Sequence, residues 1–179
     1  MKYNVILSGI GGQGIVLMGE LLGRAAIKKG YKVTIAPEYG QEKRGSYVHC
    51  QVTVGDELQS PVISKADSAV VIDNDSFDLF ENRVKTGGRL IVNADTVERP
   101  SGRDDIQYLR IPLLQLALQV HSGKSMNMVG LGALLQENGP VNEQEILQVI
   151  RENMKPALQS QNEKALMAGY TFRDRADFC

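Results

Sequence analysis

The feature that most constrains this chain is an abrupt change of hydrophobic period near its start. Residues 3–9, "YNVILSG", are apolar and β-branched, which is typical of a buried strand that ends at Gly9. Between Gln13 and Gly30 the apolar residues recur at helical spacing, at Ile15, Leu17, Met18, Leu21, Leu22, Ala25 and Ile27. A strand, a short glycine turn and a helix in this order predict the opening unit of an α/β fold.

Three glycines of the turn, Gly9, Gly11 and Gly14, match the G-x-G-x-x-G pattern of dinucleotide-binding folds. Such a turn lets the backbone approach phosphates, and the following helix directs its N-terminal amides to the same place. A complete dinucleotide site also has an acidic residue at the end of the second strand, which binds the ribose. Glu38 is the only candidate, and it follows Pro37 in a predicted loop. Two interpretations therefore stay open: nucleotide binding, or a tight strand-to-helix turn with close packing.

Two further glycines, Gly19 and Gly23, lie four residues apart on the predicted first helix. Glycine costs a helix about 1 kcal/mol relative to alanine, so a compensating role is expected. Close packing of the helix against its sheet is the simplest such role.

The rest of the first two thirds of the chain alternates strand signals with turns. Further strands are predicted over residues 31–37, 47–57, 68–73, 89–95 and 106–112. Pro37 is expected to stop the second strand, and Gly87-Gly88 to form a turn before the fifth.

Helices are predicted after the fourth strand and throughout the last third of the chain. Residues 74–84 form a helix with Asn74 or Asp75 as its N-cap, and Pro156 opens the last helix. This order predicts one domain over residues 1–179, with a three-layer, Rossmann-like α/β architecture, a mostly parallel sheet and a helical C-terminal part. Because no helix separates the second and third strands, antiparallel pairing is expected there.

A second candidate binding segment is "PEYGQEKRGSYVHC", from Pro37 to Cys50. Its charged residues lie among glycines and tyrosines without any periodicity, which predicts a loop. Ligands of open α/β sheets collect at the carboxyl ends of strands, and the loop shares that edge with the glycine turn if the first two strands are parallel. Arg44 is suited to bidentate pairing with a phosphate or carboxylate there. The alternative is a solvated charged loop.

Composition excludes several classes of function. The net charge of −1 favours neither nucleic acid nor an anionic membrane, and no apolar run approaches the roughly 20 residues that span a bilayer. Two cysteines, Cys50 and Cys179, are too few for a disulfide scaffold or an iron–sulfur cluster, so a cytoplasmic location is expected. His49 and Cys50 are adjacent in a predicted strand, so their side chains point to opposite faces and are not placed to share a metal ion. Without a nucleophile–base pair, the chain is poorly equipped for chemistry alone.

The two loops together resemble the gamma subunit of 2-oxoacid:ferredoxin oxidoreductases, the group acting on pyruvate, 2-oxoisovalerate, 2-oxoglutarate and indolepyruvate. The shared motifs are G-x-G-G-Q-G, here residues 9–14, and P-x-Y-G-x-E-x-R-G-G, here residues 37–46. "NMVGLGALL", residues 127–135, is similar to a later helix of the family. Ser46 replaces the usual second glycine after the arginine, so the loop tip is expected to differ locally.

The resemblance implies a function in a heteromeric complex that converts a 2-oxoacid and coenzyme A to acyl-CoA and carbon dioxide and reduces ferredoxin. Partners would be the alpha, beta and, where one is present, delta subunits, which carry the thiamine diphosphate and the iron–sulfur clusters. This chain would bind no cofactor alone, and no catalytic or metal-ligating residue is assigned to it. Its two loops would lie at the interface and on the coenzyme A side of the active site. The residues assigned there are Gly9, Gly11, Gly12, Gln13, Gly14, Tyr39, Gly40, Glu42, Arg44, Gly45 and Asn127.

Within this assignment Gly11, Gly12 and Gln13 supply backbone and amide donors, and Arg44 pairs with an anion. One alternative function is a stand-alone oxidoreductase that binds NAD(P) or a flavin through the glycine turn. Another is a structural or regulatory module whose glycines serve packing alone.

Overall fold

The computed structural model describes residues 1–40, 46–137 and 139–173. Six strands of this part of the chain form one sheet: β1 Lys2–Ile10, β2 Lys32–Tyr39, β3 Tyr47–Gly55, β4 Ala66–Val71, β5 Val84–Asn93 and β6 Gln107–Ile111. Six helices accompany them: α1 Ile15–Lys28, α2 Asn74–Phe80, α3 Leu113–Gln119, α4 Met126–Leu134, α5 Glu143–Asn153 and α6 Pro156–Thr171. Short 3₁₀ turns occupy Glu81–Arg83 and Gly123–Ser125.

The sheet is mixed, with the strand order β2-β3-β1-β4-β5-β6. Strands β1, β4, β5 and β6 pair in parallel, whereas β3 is antiparallel to both of its neighbours, β1 and β2. The predicted antiparallel pairing of the second and third strands is confirmed. Since β1 and β2 are both antiparallel to β3, they run in the same direction and end at the same edge of the sheet.

The two faces of the sheet carry different layers in the described part of the chain. The front face, defined by Val5, Leu7, Cys50 and Val52, is covered by α1 and α4, with α3, α5 and α6 packed around them. The back face, which includes Ile6, is covered by α2 through Phe77 and Phe80. The three-layer α/β class predicted from the sequence is confirmed.

Glycines set the distance between α1 and the front face. A Cβ atom at Gly19 would lie 2.6 Å from Cys50 Sγ, and one at Gly23 would lie 2.7 Å from Ile35 Cδ1. The missing side chains therefore allow the helix to approach β3 and β2 closely, as the spacing predicts. Gly30 follows this helix with φ 92°, a conformation that glycine adopts without strain.

The prediction that Pro37 stops the second strand is wrong. Strand β2 continues to Tyr39, with Pro37 paired opposite Cys50. Because β2 lies at the edge of the sheet, a residue without an N–H group is tolerated in it.

Two local predictions around β4 and β5 are also wrong. Gly87 and Gly88 lie inside β5, at an irregularity in its pairing with β4, where a Cβ at Gly88 would meet the Asp67 carbonyl oxygen at 2.8 Å. The N-cap of α2 is Asp73, whose Oδ1 accepts from Ser76 N at 2.9 Å. Asp73 has the extended backbone that an N-cap requires, whereas Asn74 already belongs to the helix.

None of the helices within the described residues is long and apolar enough to cross a bilayer. That residues 1–179 form one domain stays a prediction.

Candidate functional site

The glycine turn after β1 and the end of the β2–β3 hairpin meet at one edge of the sheet. Gly11 N donates to the Ser46 carbonyl oxygen at 2.9 Å, which ties the turn to the residue before β3. Gly40 N donates to the Tyr47 carbonyl oxygen at 2.9 Å and closes the hairpin below this point. The convergence of the two segments that the sequence predicts is therefore confirmed for the described residues.

The turn itself depends on glycine at specific positions. Gly12 and Gly14 have φ of 92° and 75°, which lie in the left-handed region that favours glycine. A Cβ at Gly9 would lie 2.6 Å from Gln13 Oε1, and that oxygen accepts from Ile10 N at 2.7 Å. The side-chain carbonyl oxygen of Gln13 thus stabilises the turn. The Gly11 N–H group is already hydrogen-bonded to the Ser46 carbonyl oxygen.

Asn127 connects the turn to the second helix of the front face. It is the second residue of α4, is 4% exposed, and donates from Nδ2 to the Gly14 carbonyl oxygen at 3.2 Å. A Cβ at Gly14 would lie 3.0 Å from Asn127 Cγ, so the two residues fit only because position 14 is glycine. The N-termini of α1 and α4 meet here, and neither helix has an acidic residue in its first turn. Positive helix-dipole ends therefore lie together at this edge.

The remaining predicted site residues divide into two groups. Tyr39 is 67% exposed at the end of β2, and Gly40 follows it at the hairpin end. Glu42, Arg44 and Gly45 lie outside the described residues, so their assignment rests on the sequence alone.

Glu38 is not placed as a ribose-binding acid would be. Its carboxylate lies 3.1 Å from His49 Nε2 and accepts from Gln51 Nε2 at 2.9 Å, on the back face. Strand β3 also separates β2 from β1, so the end of β2 is about 10 Å from the glycine turn at the usual strand spacing. In the standard dinucleotide fold those two strands are neighbours. The arrangement argues against a dinucleotide site at the G-x-G-x-x-G pattern.

Sequence reasoning missed the polar side chains on the back of β3. His49 and Gln51 are 7% and 4% exposed, and they point away from α1. The alternation of Tyr47, His49 and Gln51 with Val48, Cys50 and Val52 was the available signal, since a strand buried on both sides is otherwise apolar. The opposite orientations predicted for His49 and Cys50 are confirmed.

Two buried groups near this edge serve structure. Ser8 Oγ donates to Ser76 Oγ at 2.8 Å, and Ser76 Oγ donates to Asp73 Oδ2, which links the end of β1 to the cap of α2. Burial, with a smaller contribution from Glu20, raises the pKa of the Cys50 thiol to about 12, so this thiol is not a nucleophile at neutral pH. Within residues 1–40, 46–137 and 139–173 no group of three His, Cys, Asp or Glu residues could hold a metal ion.

These features define a Rossmann-like α/β protein with a mixed sheet, in which a glycine turn lies between the N-termini of two helices. Residues 4–172 match the family described as pyruvate ferredoxin/flavodoxin oxidoreductase, and the chain belongs to that family. The resemblance to gamma subunits of 2-oxoacid:ferredoxin oxidoreductases predicted from the sequence is confirmed.

Relatives in the family support this assignment. The 2-oxoglutarate synthase subunit KorC of Methanocaldococcus jannaschii is 30% identical over 95% of this chain and 93% of its own length. The keto/oxoacid ferredoxin oxidoreductase gamma subunit of Geobacter sulfurreducens has a TM-score of 0.83 and 26% identity, and covers 95% of each chain.

A longer protein shares the fold. The 2-oxoglutarate:ferredoxin oxidoreductase of Magnetococcus marinus, solved with 2-oxoglutarate, coenzyme A and succinyl-CoA bound, has a TM-score of 0.84 at 22% identity. The match covers 94% of this chain and 30% of that one. At this identity the likeness shows the fold alone.

Proposed function

We propose that the chain is the gamma subunit that forms the coenzyme A side of a heteromeric 2-oxoacid:ferredoxin oxidoreductase. The complex would oxidise a 2-oxoacid with coenzyme A to acyl-CoA and carbon dioxide and reduce ferredoxin. Alpha, beta and, where present, delta subunits would carry the thiamine diphosphate and the iron–sulfur clusters. The chain alone would be inactive and would work in the cytoplasm.

The observation that carries the proposal is the meeting of the two loop segments through Gly11 and Ser46, beside Asn127. The N-termini of α1 and α4, which have no acidic residue in their first turns, suit the phosphates of coenzyme A at this edge. Arg44, outside the described residues, would add a charge-assisted contact. In support, a protein of the same fold binds coenzyme A.

The substrate is proposed only as a 2-oxoacid. The family name refers to pyruvate, whereas the KorC relative is a 2-oxoglutarate synthase subunit. The 2-oxoacid itself would be selected by the partner subunits that hold thiamine diphosphate.

The first test is anoxic purification of the tagged chain from its host, followed by viologen reduction with several 2-oxoacids and coenzyme A. Co-purification of thiamine- and cluster-carrying subunits in fixed ratio, with activity that requires coenzyme A, is expected. Recovery of the chain alone with a bound nucleotide would instead support a stand-alone oxidoreductase.

A variant pair then tests the site itself. Asn127→Ala removes the hydrogen bond to the Gly14 carbonyl oxygen and is expected to raise KM for coenzyme A about five- to tenfold, the equivalent of about one hydrogen bond. Asn153→Ala, at the end of α5, removes the side-chain hydrogen bonds with Arg24 and with the Val149 carbonyl oxygen and serves as the control. Equal KM values in the two variants would overturn the coenzyme A assignment.

A further inference from the structure

A hydrogen-bonded network joins the two strands of the β2–β3 hairpin on the back face. Glu38 of β2 stands opposite His49 of β3, with Nε2 of the histidine 3.1 Å from Glu38 Oε2. Gln51 Nε2 donates to the other carboxylate oxygen of Glu38 at 2.9 Å. Gln51 Oε1 accepts from the buried Ile63 N at 2.8 Å and from Arg83 Nη2 at 3.4 Å. The network therefore connects β2, β3, the segment after β3 and the turn before β5.

The network requires a carboxylate at position 38. Gln51 Nε2 donates to one oxygen of the Glu38 carboxylate, and His49 Nε2 lies 3.1 Å from the other, so an ionised carboxylate contacts both strand β3 side chains at once. An amide of the same size carries no charge, and it would direct its own NH₂ group at Gln51 Nε2 or at His49 Nε2. Gln51 cannot reorient to compensate, because its oxygen is held by Ile63 N.

Aromatic rings extend the network to the hairpin end. The rings of Tyr47 and His49 are nearly parallel, with an interplanar angle of 4° and centroids 5.9 Å apart. His49 also contacts Phe80 of α2, with ring centroids 5.1 Å apart. The Arg83 guanidinium lies over the Phe80 ring, 5.3 Å from its centroid. Together with Glu38, Gln51, Val62 and Leu79, these groups line an open cavity of about 290 Å³. His49 is therefore clamped between the hairpin and α2.

The network lies next to the candidate site along strands β2 and β3. Glu38 is two residues before Gly40, and His49 is two residues after Tyr47, which accepts from Gly40 N. The preceding residue, Ser46, accepts from Gly11 N of the glycine turn. A displacement of the hairpin end would therefore move the acceptor that holds Gly11.

We propose that Glu38, His49 and Gln51 are positioning residues, which fix the hairpin end and, through Ser46, the glycine turn. None of the three is expected to touch a substrate. The positional part stands on the contacts of this chain, whereas its effect on coenzyme A rests on the function proposed above.

The first test measures hydrogen exchange of the full chain in peptides that contain Gly40 and Gly11. Glu38→Gln is expected to accelerate exchange of both amides about fivefold or more, because the carboxylate that contacts both Gln51 and His49 is replaced by a neutral amide. The double variant Glu38→Gln/Gln51→Glu exchanges the two groups. Its carboxylate at position 51 accepts from Ile63 N and from the new amide, whose oxygen accepts from His49. Exchange is therefore expected to return to the wild-type rate.

Matched variants separate this effect from general loosening of the hairpin. Thr34→Val removes a hydrogen bond to the Gln59 carbonyl oxygen at the other end of β2 and is expected to leave both amides unchanged. His49→Phe keeps a ring but loses Nε2, the atom that faces Glu38. Fast exchange in this variant supports the network. Wild-type exchange in Glu38→Gln, or failure of the double variant to restore it, would overturn the proposal.

The second test measures KM for coenzyme A in the reconstituted complex. An increase in Glu38→Gln at unchanged kcat, restored in the double variant, is expected and would not arise from a lower amount of folded subunit. If exchange changes but KM does not, the positioning role stands and the coenzyme A role of this edge is wrong. The two proposals therefore fail separately.

Discussion

Strand β3 has two faces that are built in opposite ways. Its front face carries Val48, Cys50 and Val52, and α1 lies so close to it that Gly19 has no room for a Cβ. Its back face carries Tyr47, His49 and Gln51, which face a polar network and an open cavity. The same nine residues therefore supply packing on one side and directional hydrogen bonds on the other. Substitutions on the front are expected to change stability, and those on the back to change the shape of the site.

The largest expected contrast concerns thiol reactivity on the front face. Since burial raises the pKa of Cys50 to about 12, its reaction with a disulfide reagent near pH 8 should be about a thousandfold slower than that of an unfolded thiol. The unfolded thiol ionises near pH 8.5, so the free energy of unfolding should fall as pH rises above this value. A Cys179→Ser background makes Cys50 the sole thiol. Rapid reaction of the native variant would contradict a closed front face.

The next largest effect is expected where two front helices cross. A Cβ at Gly132 of α4 would meet the Leu166 carbonyl oxygen and lie 2.8 Å from Tyr170 N, both backbone atoms of α6. Because backbone cannot move as a side chain can, Gly132→Ala should lower the free energy of unfolding by about 3 kcal/mol. Urea unfolding measures this, with Gly102→Ala as control, since no described atom lies within 4 Å of a Cβ there. Equal stabilities would show that the crossing can open at little cost.

A smaller effect is expected for α2, the helix that covers the back face. Asp73→Ala removes the N-cap of α2 and should cost about 1 kcal/mol, whereas Asp73→Asn should retain most of the cap. Asp75→Ala, in the first turn, changes the same charge without removing a cap and is the control. Thermal unfolding of the three variants tests whether α2 depends on this contact.

The smallest effect is expected at the rim of the cavity. Val62 and Leu79 are 74% and 49% exposed, so alanine at either position should change the free energy of unfolding by no more than about 0.5 kcal/mol. Urea unfolding provides the measurement. A loss above about 1.5 kcal/mol would mean that the back face is packed as tightly as the front, and the comparison would fail.

The sequence predicted correctly those features that depend on residues close together in the chain. The strand–turn–helix unit, the packing glycines Gly19 and Gly23, and the antiparallel second and third strands all follow from periodicity and connection length. The gamma-subunit resemblance depended on two motifs whose described residues lie at the same sheet edge. The assignment of individual site residues to coenzyme A stays a prediction.

The wrong predictions concern features that depend on which strands are neighbours in the sheet. The strand order places β3 between β1 and β2, and this removes Glu38 from the glycine turn without any local signal. The error at Pro37 has the same origin. Proline is tolerated in an edge strand, and only the strand order shows that β2 is one. Likewise Asp73 caps α2 because β4 ends two residues earlier than the apolar pattern suggests.

Pro37 also bears on how the chain avoids its own copies. Within the described residues no strand pairs with the outer side of β2, and an unpaired strand edge is a template on which another chain can add by backbone hydrogen bonds. Proline has no amide hydrogen to offer, so an added strand would find a gap in the ladder two residues before the end of β2. Pro37 thus does not end the strand that contains it, as the sequence suggests, but disfavours the addition of a further strand beside it.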